Sequence, residues 1–216
     1  MSNNQQNKSK NDREKILNRL KAAQNTTDGS FSPGDRSVRV FPYPEDLLVI
    51  FREELEKIKG LSYVYKGGGE FSALVKNILD EKGCKYLFTR DPELKEQLKE
   101  VVKVSSEDDD FVEMEVGITK CEFLVARTGS VVISSAHPSG RLMNIFPPVH
   151  IVVAKASQLV PFLEEAIDGM KERYDGNMPS QMTVITGASR TADIEKTLVM
   201  GAHGPKELIV LIDLEA

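Results

Sequence analysis

The chain has 216 residues, 40% hydrophobic and 6% aromatic with no tryptophan, so one sizeable domain with an aliphatic core is expected. Its 28 basic and 33 acidic residues leave a net charge of −5, which argues against the sequence-independent nucleic-acid binding that a basic surface supports. The opening MSNNQQNKSKN lacks the apolar centre of a secretory signal, and no apolar run approaches the roughly 20 residues that span a bilayer, so a soluble cytoplasmic protein is expected.

Residues 1–11 read as a disordered polar tail, and residues 12–43 as an N-terminal helix followed by an exposed linker. The helix runs from Asn11 or Asp12 to about Gln24, with Ile16, Leu17 and Leu20 on one stripe. Residues 44–216 form an α/β domain. Its first helix is expected to start at Pro44, with Glu45 and Asp46 at its positive end and Gly60 at its exit. LSYVY is a strand, KGGGE a turn, FSALVKNILDEKG a helix stopped by Gly83, and CKYLFT a second strand. A helix after Pro92 leads to a short strand near VVKV, and SSEDDD is an acidic surface loop. FVEMEVGIT and EFLVARTGSVVISS are sheet, the latter a hairpin turning near Thr128 and Gly129. HPSGRLMNIFPP is irregular. VHIVVA, MTVIT and ELIVLIDL are strands, LVPFLEEAIDGMKERY is a helix, and ADIEKTLVM is a short helix closed by Gly201. This alternation predicts a mainly parallel sheet covered on both faces, with the hairpin as an antiparallel edge or insertion.

The corner TGASRTADIE (186–195) is dense in hydrogen-bonding groups. Loops beyond strand ends at helix N-termini are natural anion seats. There Gly187 would admit a ligand to the backbone, Ser189 and Thr191 would add hydroxyls, and Arg190 would grip a carboxylate or phosphate. Asp193 would compete for the same helix dipole. The alternative is structural: Thr191 caps the helix, Asp193 complements its dipole and Arg190 pairs with a carboxylate. KGGGE is either a flexible turn or a phosphate loop without the usual spacing. His137, His150 and His203 are each a potential base near neutral pH or a hydrogen-bonded structural histidine. Arg141 is a binding candidate in an irregular segment. Cys84 and Cys121 match no CxxC spacing, and the chain offers no ligand set for a metal or an iron–sulfur cluster.

VGIT (116–119), ARTGS (126–130), the Arg141 segment running into PPVHIVV (147–153), ITGASRTADIE (185–195) and GAHGPKEL (201–208) together resemble the LUD-domain family, in its lactate utilization protein C group. The resemblance is strong over about 117–213 and coarse over 44–116. It implies an α/β three-layer sandwich around a mainly parallel sheet, of the ribose-5-phosphate isomerase and CoA-transferase type. It further implies a part in oxidising L-lactate to pyruvate beside iron–sulfur partner proteins. Members often have glutamate where Arg127 stands and proline where Ala188 stands.

Oxidising a 2-hydroxy acid needs a base, a cation for the carboxylate and an electron acceptor. Candidates for catalysis are His150, His203 and Glu195. Candidates for binding a small anionic ligand are Gly187, Ser189, Arg190, Thr191, Asp193, Thr128, Gly129, Ser130 and Arg141. The chain shows no dinucleotide fingerprint, so it is expected to bind no cofactor itself and to rely on clusters held by its partners. Two other classes of reading stand beside this one: a non-catalytic assembly subunit of the same complex, and an independent enzyme acting on CoA esters or phosphosugars.

Overall fold

A computed structural model describes residues 13–19, 21, 41–43, 45–106, 113–192, 198–200 and 204–215, the side chains of 190–192 and 198–200 excepted. The chain divides into two units, Met1–Pro42 and Tyr43–Ala216. In the first, residues 13–19 form a helix, α1, as the apolar stripe requires, with Ile16 and Leu17 exposed.

The second unit opens with α2 (Leu47–Lys57), which starts three residues beyond Pro44. Asp46 is its cap, its carboxylate accepting from the N–H groups of Leu48 and Val49 at 3.0 Å. The helix closes through Lys59, which takes the left-handed conformation (φ 63°) expected of a glycine, while Gly60 donates to the Leu55 carbonyl. There follow β1 (Leu61–Tyr65), α3 (Gly67–Lys82), β2 (Leu87–Phe88), α4 (Pro92–Leu98), β3 (Val104–Ser105), β4 (Val116–Lys120), β5 (Phe123–Val125), β6 (Ser130–Ser134), β7 (Val149–Lys155) and β8 (Leu159–Val160). The chain ends with α5 (Leu163–Arg173), β9 (Met182–Ile185), β10 (Arg190–Ala192), β11 (Leu198–Met200) and β12 (Glu207–Asp213).

Six strands form a sheet in the order β1-β12-β7-β4-β2-β3, parallel throughout. Alternation along β7 and β12 assigns its faces. Val149, Ile151, Ile209 and Leu211 pack with Phe71, Val75, Leu94 and Leu98 of α3 and α4. Val152, Ala154, Leu208, Val210 and Ile212 pack on the other side with Phe51 and Leu55 of α2 and with Leu124, Val131 and Ile133. The last three belong to a second sheet of order β8-β5-β6-β9, so the predicted hairpin founds a layer of its own. Its outward Val132 and Phe123 receive Ala166 and Met170 of α5. Each fully buried aliphatic or phenyl side chain in these layers contributes about 1.5–3 kcal/mol.

Two expectations are corrected. The residues expected to form a helix after the corner instead contribute β10 and β11, paired antiparallel with Thr191 opposite Val199. The branched side chains of Thr191 and Val199 suit a strand better than a helix interior. KGGGE is not a separate turn, because Gly67, Gly68 and Gly69 form the first turn of α3.

Candidate functional site

The motif segments meet along one edge of the parallel sheet. The 204–206 loop feeds β12, and its Lys206 N–H donates to the Pro148 carbonyl at 2.8 Å, just before β7 begins. The corner after β9 joins this loop: Ser189 N–H donates to the Pro205 carbonyl at 2.8 Å. Gly204 lies against Ser189, where an added Cβ would sit 3.1 Å from the serine Cβ. Farther along, Gly117 of β4 leaves room for the 142–147 segment, since a Cβ there would stand 2.9 Å from Pro147 and 3.0 Å from Met143. These contacts lie at the amino-terminal ends of β4, β7 and β12.

The usual ligand edge of such a sheet, at the carboxyl ends, is occupied by the chain's own carboxylates. Glu70 folds back on the start of α3 and accepts from Lys66 N–H at 2.7 Å. Asp91 caps α4 through the N–H groups of Glu93 (2.9 Å) and Leu94 (3.1 Å). The start of α4 is therefore capped by an internal anion, and at the start of α3 a carboxylate takes the Lys66 N–H.

At the hairpin turn, Ser130 is buried and donates from Oγ to Thr128 Oγ1 at 2.8 Å. Thr186 Oγ1 lies 2.8 Å from the same Ser130 oxygen. With the serine proton directed at Thr128, Thr186 is the donor to Ser130, and a chain of three hydroxyls links the turn to the corner. The two threonines at its ends are exposed. Sequence reading singles out Thr128 and Ser130 but not Thr186.

The glycines at these turns serve packing. Gly129 (φ 59°) is pressed against the backbone of Glu54 and Leu55, and Gly187 (φ 77°) against Ile58, whose carbonyl would be 2.7 Å from an added Cβ. Gly187, expected to open the backbone to a ligand, has the end of α2 against it on the side where a Cβ would stand. The corner also feeds a strand, so no helix N-terminus stands there to attract an anion. Arg190 and Thr191 lie in β10 with their side chains outside the described residues, as are Asp193, Glu195 and His203 entirely.

His150 is fully buried on β7, its Nε2 2.9 Å from Thr119 Oγ1 and its Nδ1 without a partner. Burial lowers its pKa to about 4, so the ring is neutral at physiological pH. Arg141 donates from Nη2 to Ser180 Oγ at 2.8 Å, beside the start of β9. Val131, next to Ser130, pairs with Ile185 at the far end of β9, and three residue steps of strand separate that end from Met182 by roughly 10 Å. Arg141 is therefore not gathered with Thr128, Gly129 and Ser130.

The other end of this sheet, where Ser134 pairs with Met182 at the start of β9, holds a cluster the sequence hardly announces. Glu122, 1% exposed, accepts from Ser134 Oγ and Tyr174 OH, both at 2.5 Å, and from Arg173 Nη1. His137 Nε2 lies 3.3 Å from Glu122 Oε1, within ion-pair distance but without a formed hydrogen bond. Burial alone would raise the Glu122 pKa, but the contacts from His137, Ser134 and Tyr174 outweigh it and hold the carboxyl at about 2. Arg173 also stacks over Phe123, 4.8 Å from the ring centroid. The only sequence signal was a carboxylate inside the apolar run CEFLVA. Among the described residues, no group of three or more His, Cys, Asp or Glu side chains is arranged to hold a metal ion.

Stacked parallel and hairpin-built sheets, with their loops gathered at one edge, define a two-sheet α/β protein. The chain belongs to the LUD domain family, whose match spans residues 48–212. Among curated proteins it is 38% identical to lactate utilization protein C of Bacillus velezensis over 101 residues, covering 45% of this chain and 42% of that one. The same protein of Bacillus subtilis is 38% identical over 92 residues, or 42% of this chain and 38% of the relative. An uncharacterized protein of Neisseria meningitidis serogroup B is 35% identical over 101 residues, covering 47% of this chain and 43% of that one. The aligned regions thus span less than half the length of these relatives. A crystal structure of a DUF162 family protein from Deinococcus radiodurans superposes with a TM-score of 0.59 at 15% identity, covering 77% of this chain and 96% of that one, and supports the fold.

Proposed function

We propose that this chain is a component of an L-lactate utilization system. In this reading it holds a small carboxylate or phosphorylated ligand along the belt formed by the 128–130 turn, the 186–189 corner, the 204–206 loop and the 142–148 segment. The supporting observation is their physical continuity, through the hydroxyl chain, the Ser189–Pro205 bond and the Lys206–Pro148 bond. Relatives named lactate utilization protein C supply the pathway. Arg190, in β10 just after the corner, is the cation proposed for the acid group. His203 and Glu195 are retained as candidate proton acceptors. Iron–sulfur partner proteins would take the two electrons, because hydroxyls, imidazoles and carboxylates accept none.

The test is complementation together with binding. With Arg190→Ala as the only copy, lactate-dependent growth should be lost while the circular-dichroism spectrum is kept. Calorimetry on the wild-type chain should show binding of L-lactate or pyruvate. Normal growth of the variant, or a thermal shift with CoA or a sugar phosphate and none with either acid, would overturn the proposal. A second reading, a non-catalytic assembly subunit, draws on the outward Leu142, Ile145 and Phe146, which are 43–51% exposed. It predicts that iron–sulfur partners co-purify equally well with Arg190→Ala and that neither acid binds the chain alone.

A further inference from the structure

Buried polar atoms almost always find a partner, and each one left without costs about 1–3 kcal/mol. Three side chains break this rule within one stretch of chain: Ser139 Oγ, Asn144 Oδ1 and His150 Nδ1, on residues 2%, 3% and 0% exposed. They belong to the irregular connection from β6 to β7 and to the second residue of β7. Register places His150 with respect to the turn that carries Asn144. His150 pairs with Gly117, and Gly117 with Phe88, so all three positions lie in one row on the same sheet face. The 142–144 turn lies over that row, with Met143 and Pro147 filling the space above the glycine. Asn144 is held in the same short turn as Met143. The turn thus carries one unpaired oxygen, and the row it packs on carries one unpaired ring nitrogen.

The cover is lightly fastened. Met143 is fully seated against Phe88 and Met114, whereas Leu142, Ile145 and Phe146 are about half exposed. Lifting the segment would unseat Met143 and Pro147 but leave its other apolar side chains in solvent, as an element that opens locally requires. At its start Gly140 takes φ 60° with no atom within 4 Å of an added Cβ.

We infer that the 139–147 segment is the lid of an internal polar site, in which Asn144 Oδ1 and His150 Nδ1 hold the 2-hydroxy or 2-oxo group of a small carboxylic acid. The inference rests on the lactate-utilization reading for the acid, and on the unpaired atoms for the place. The chemistry is complementary. The amide oxygen accepts a hydroxyl proton. The neutral imidazole, fixed by Thr119 on its other nitrogen, either accepts a proton at Nδ1 or donates one to a ketone oxygen. His150 is then a direct ligand, and Thr119 is the residue that positions it.

The experiment uses the 216-residue chain with L-lactate and pyruvate as probes. Titration of a 15N-histidine-labelled sample should move the His150 ring-nitrogen resonances on saturation. Asn144→Leu should raise the melting temperature of the ligand-free protein, because an unpaired buried oxygen is replaced by a methyl group, and should weaken binding at least tenfold. Ser139→Ala should act in the same direction more weakly. Should lactate bind with the His150 resonances unmoved and Asn144→Leu binding as tightly as wild type, the site lies elsewhere on the belt; the inference fails while the proposed function stands. If neither acid binds the wild-type chain, both fail together.

Discussion

His150 and Glu122 show how single buried residues set the chain's response to acid. Burial lowers His150 from 6.5 to about 4. Between those values the unfolded chain binds a proton that the folded chain refuses. The associated stability, up to roughly 3 kcal/mol, is therefore complete above pH 6.5 and lost as the pH falls through 4. Glu122 lies in the next window, depressed from 4.5 to about 2, so its contribution persists above 4.5 and disappears toward 2. Urea titrations at a series of pH values should show stability falling in both ranges. His150→Gln should remove about one proton from the slope of the first. At neutral pH, Glu122→Gln should cost about 2 kcal/mol, because Arg173 loses its charged partner and Tyr174 and Ser134 face a weaker acceptor. Arg173 is 41% exposed and remains hydrated, which keeps the loss below that of a fully buried pair.

Two turns are built around the end of one helix. Gly129 and Gly187 come from different segments, yet both meet the stretch from Glu54 to Ile58 at and beyond the end of α2, and both have positive φ. Alanine at either position meets strain and a backbone collision together. Gly129→Ala and Gly187→Ala should each destabilise by about 2–4 kcal/mol in chemical denaturation. Gly68 offers the contrast: it lies in the first turn of α3 with open space around it, so Gly68→Ala should be neutral or stabilise by up to about 1 kcal/mol. A loss of stability there would show that the KGGGE glycines serve something other than the helix start.

At the scale of the molecule, the main hydrophobic clusters are drawn from residues between Leu47 and Ile212. This is nearly the span of the family match, 48–212. A chain beginning at Tyr43 should therefore fold cooperatively, with a melting temperature within a few degrees of the 216-residue protein. A collapse of cooperativity on removing residues 1–42 would place part of the core in the first unit. The same architecture explains where the motifs gather. The carboxyl edge of the sheet holds an α4 start capped by Asp91 and an α3 start at which Glu70 takes the Lys66 N–H, while the loops with unfilled polar capacity lie at the opposite edge.

The sequence by itself determined the elements whose causes are local. Apolar runs specified β7, β9 and β12; Pro92 specified the start of α4, and Gly83 the end of α3. The motif wording specified the family. Where the cause is distant, only the tertiary structure decided. RTADIEKTLVM spaces its apolar residues compatibly with a helix, and the pairing of Thr191 with Val199 is what makes strands of its ends. Glycines that read as ligand loops are where α2 approaches, a fact no local pattern encodes. Arg141 and Ser130 both look like binding residues, but β6 and β9 hold them at opposite ends of a sheet. Gly117 and His150 are far apart in sequence, and only the register of β4 and β7, with Met143 and Pro147 packed on the glycine, brings the 142–144 turn beside the histidine's row. Composition and spacing report how a segment packs along its own axis; which segments share a surface is settled by strand register across the sheet.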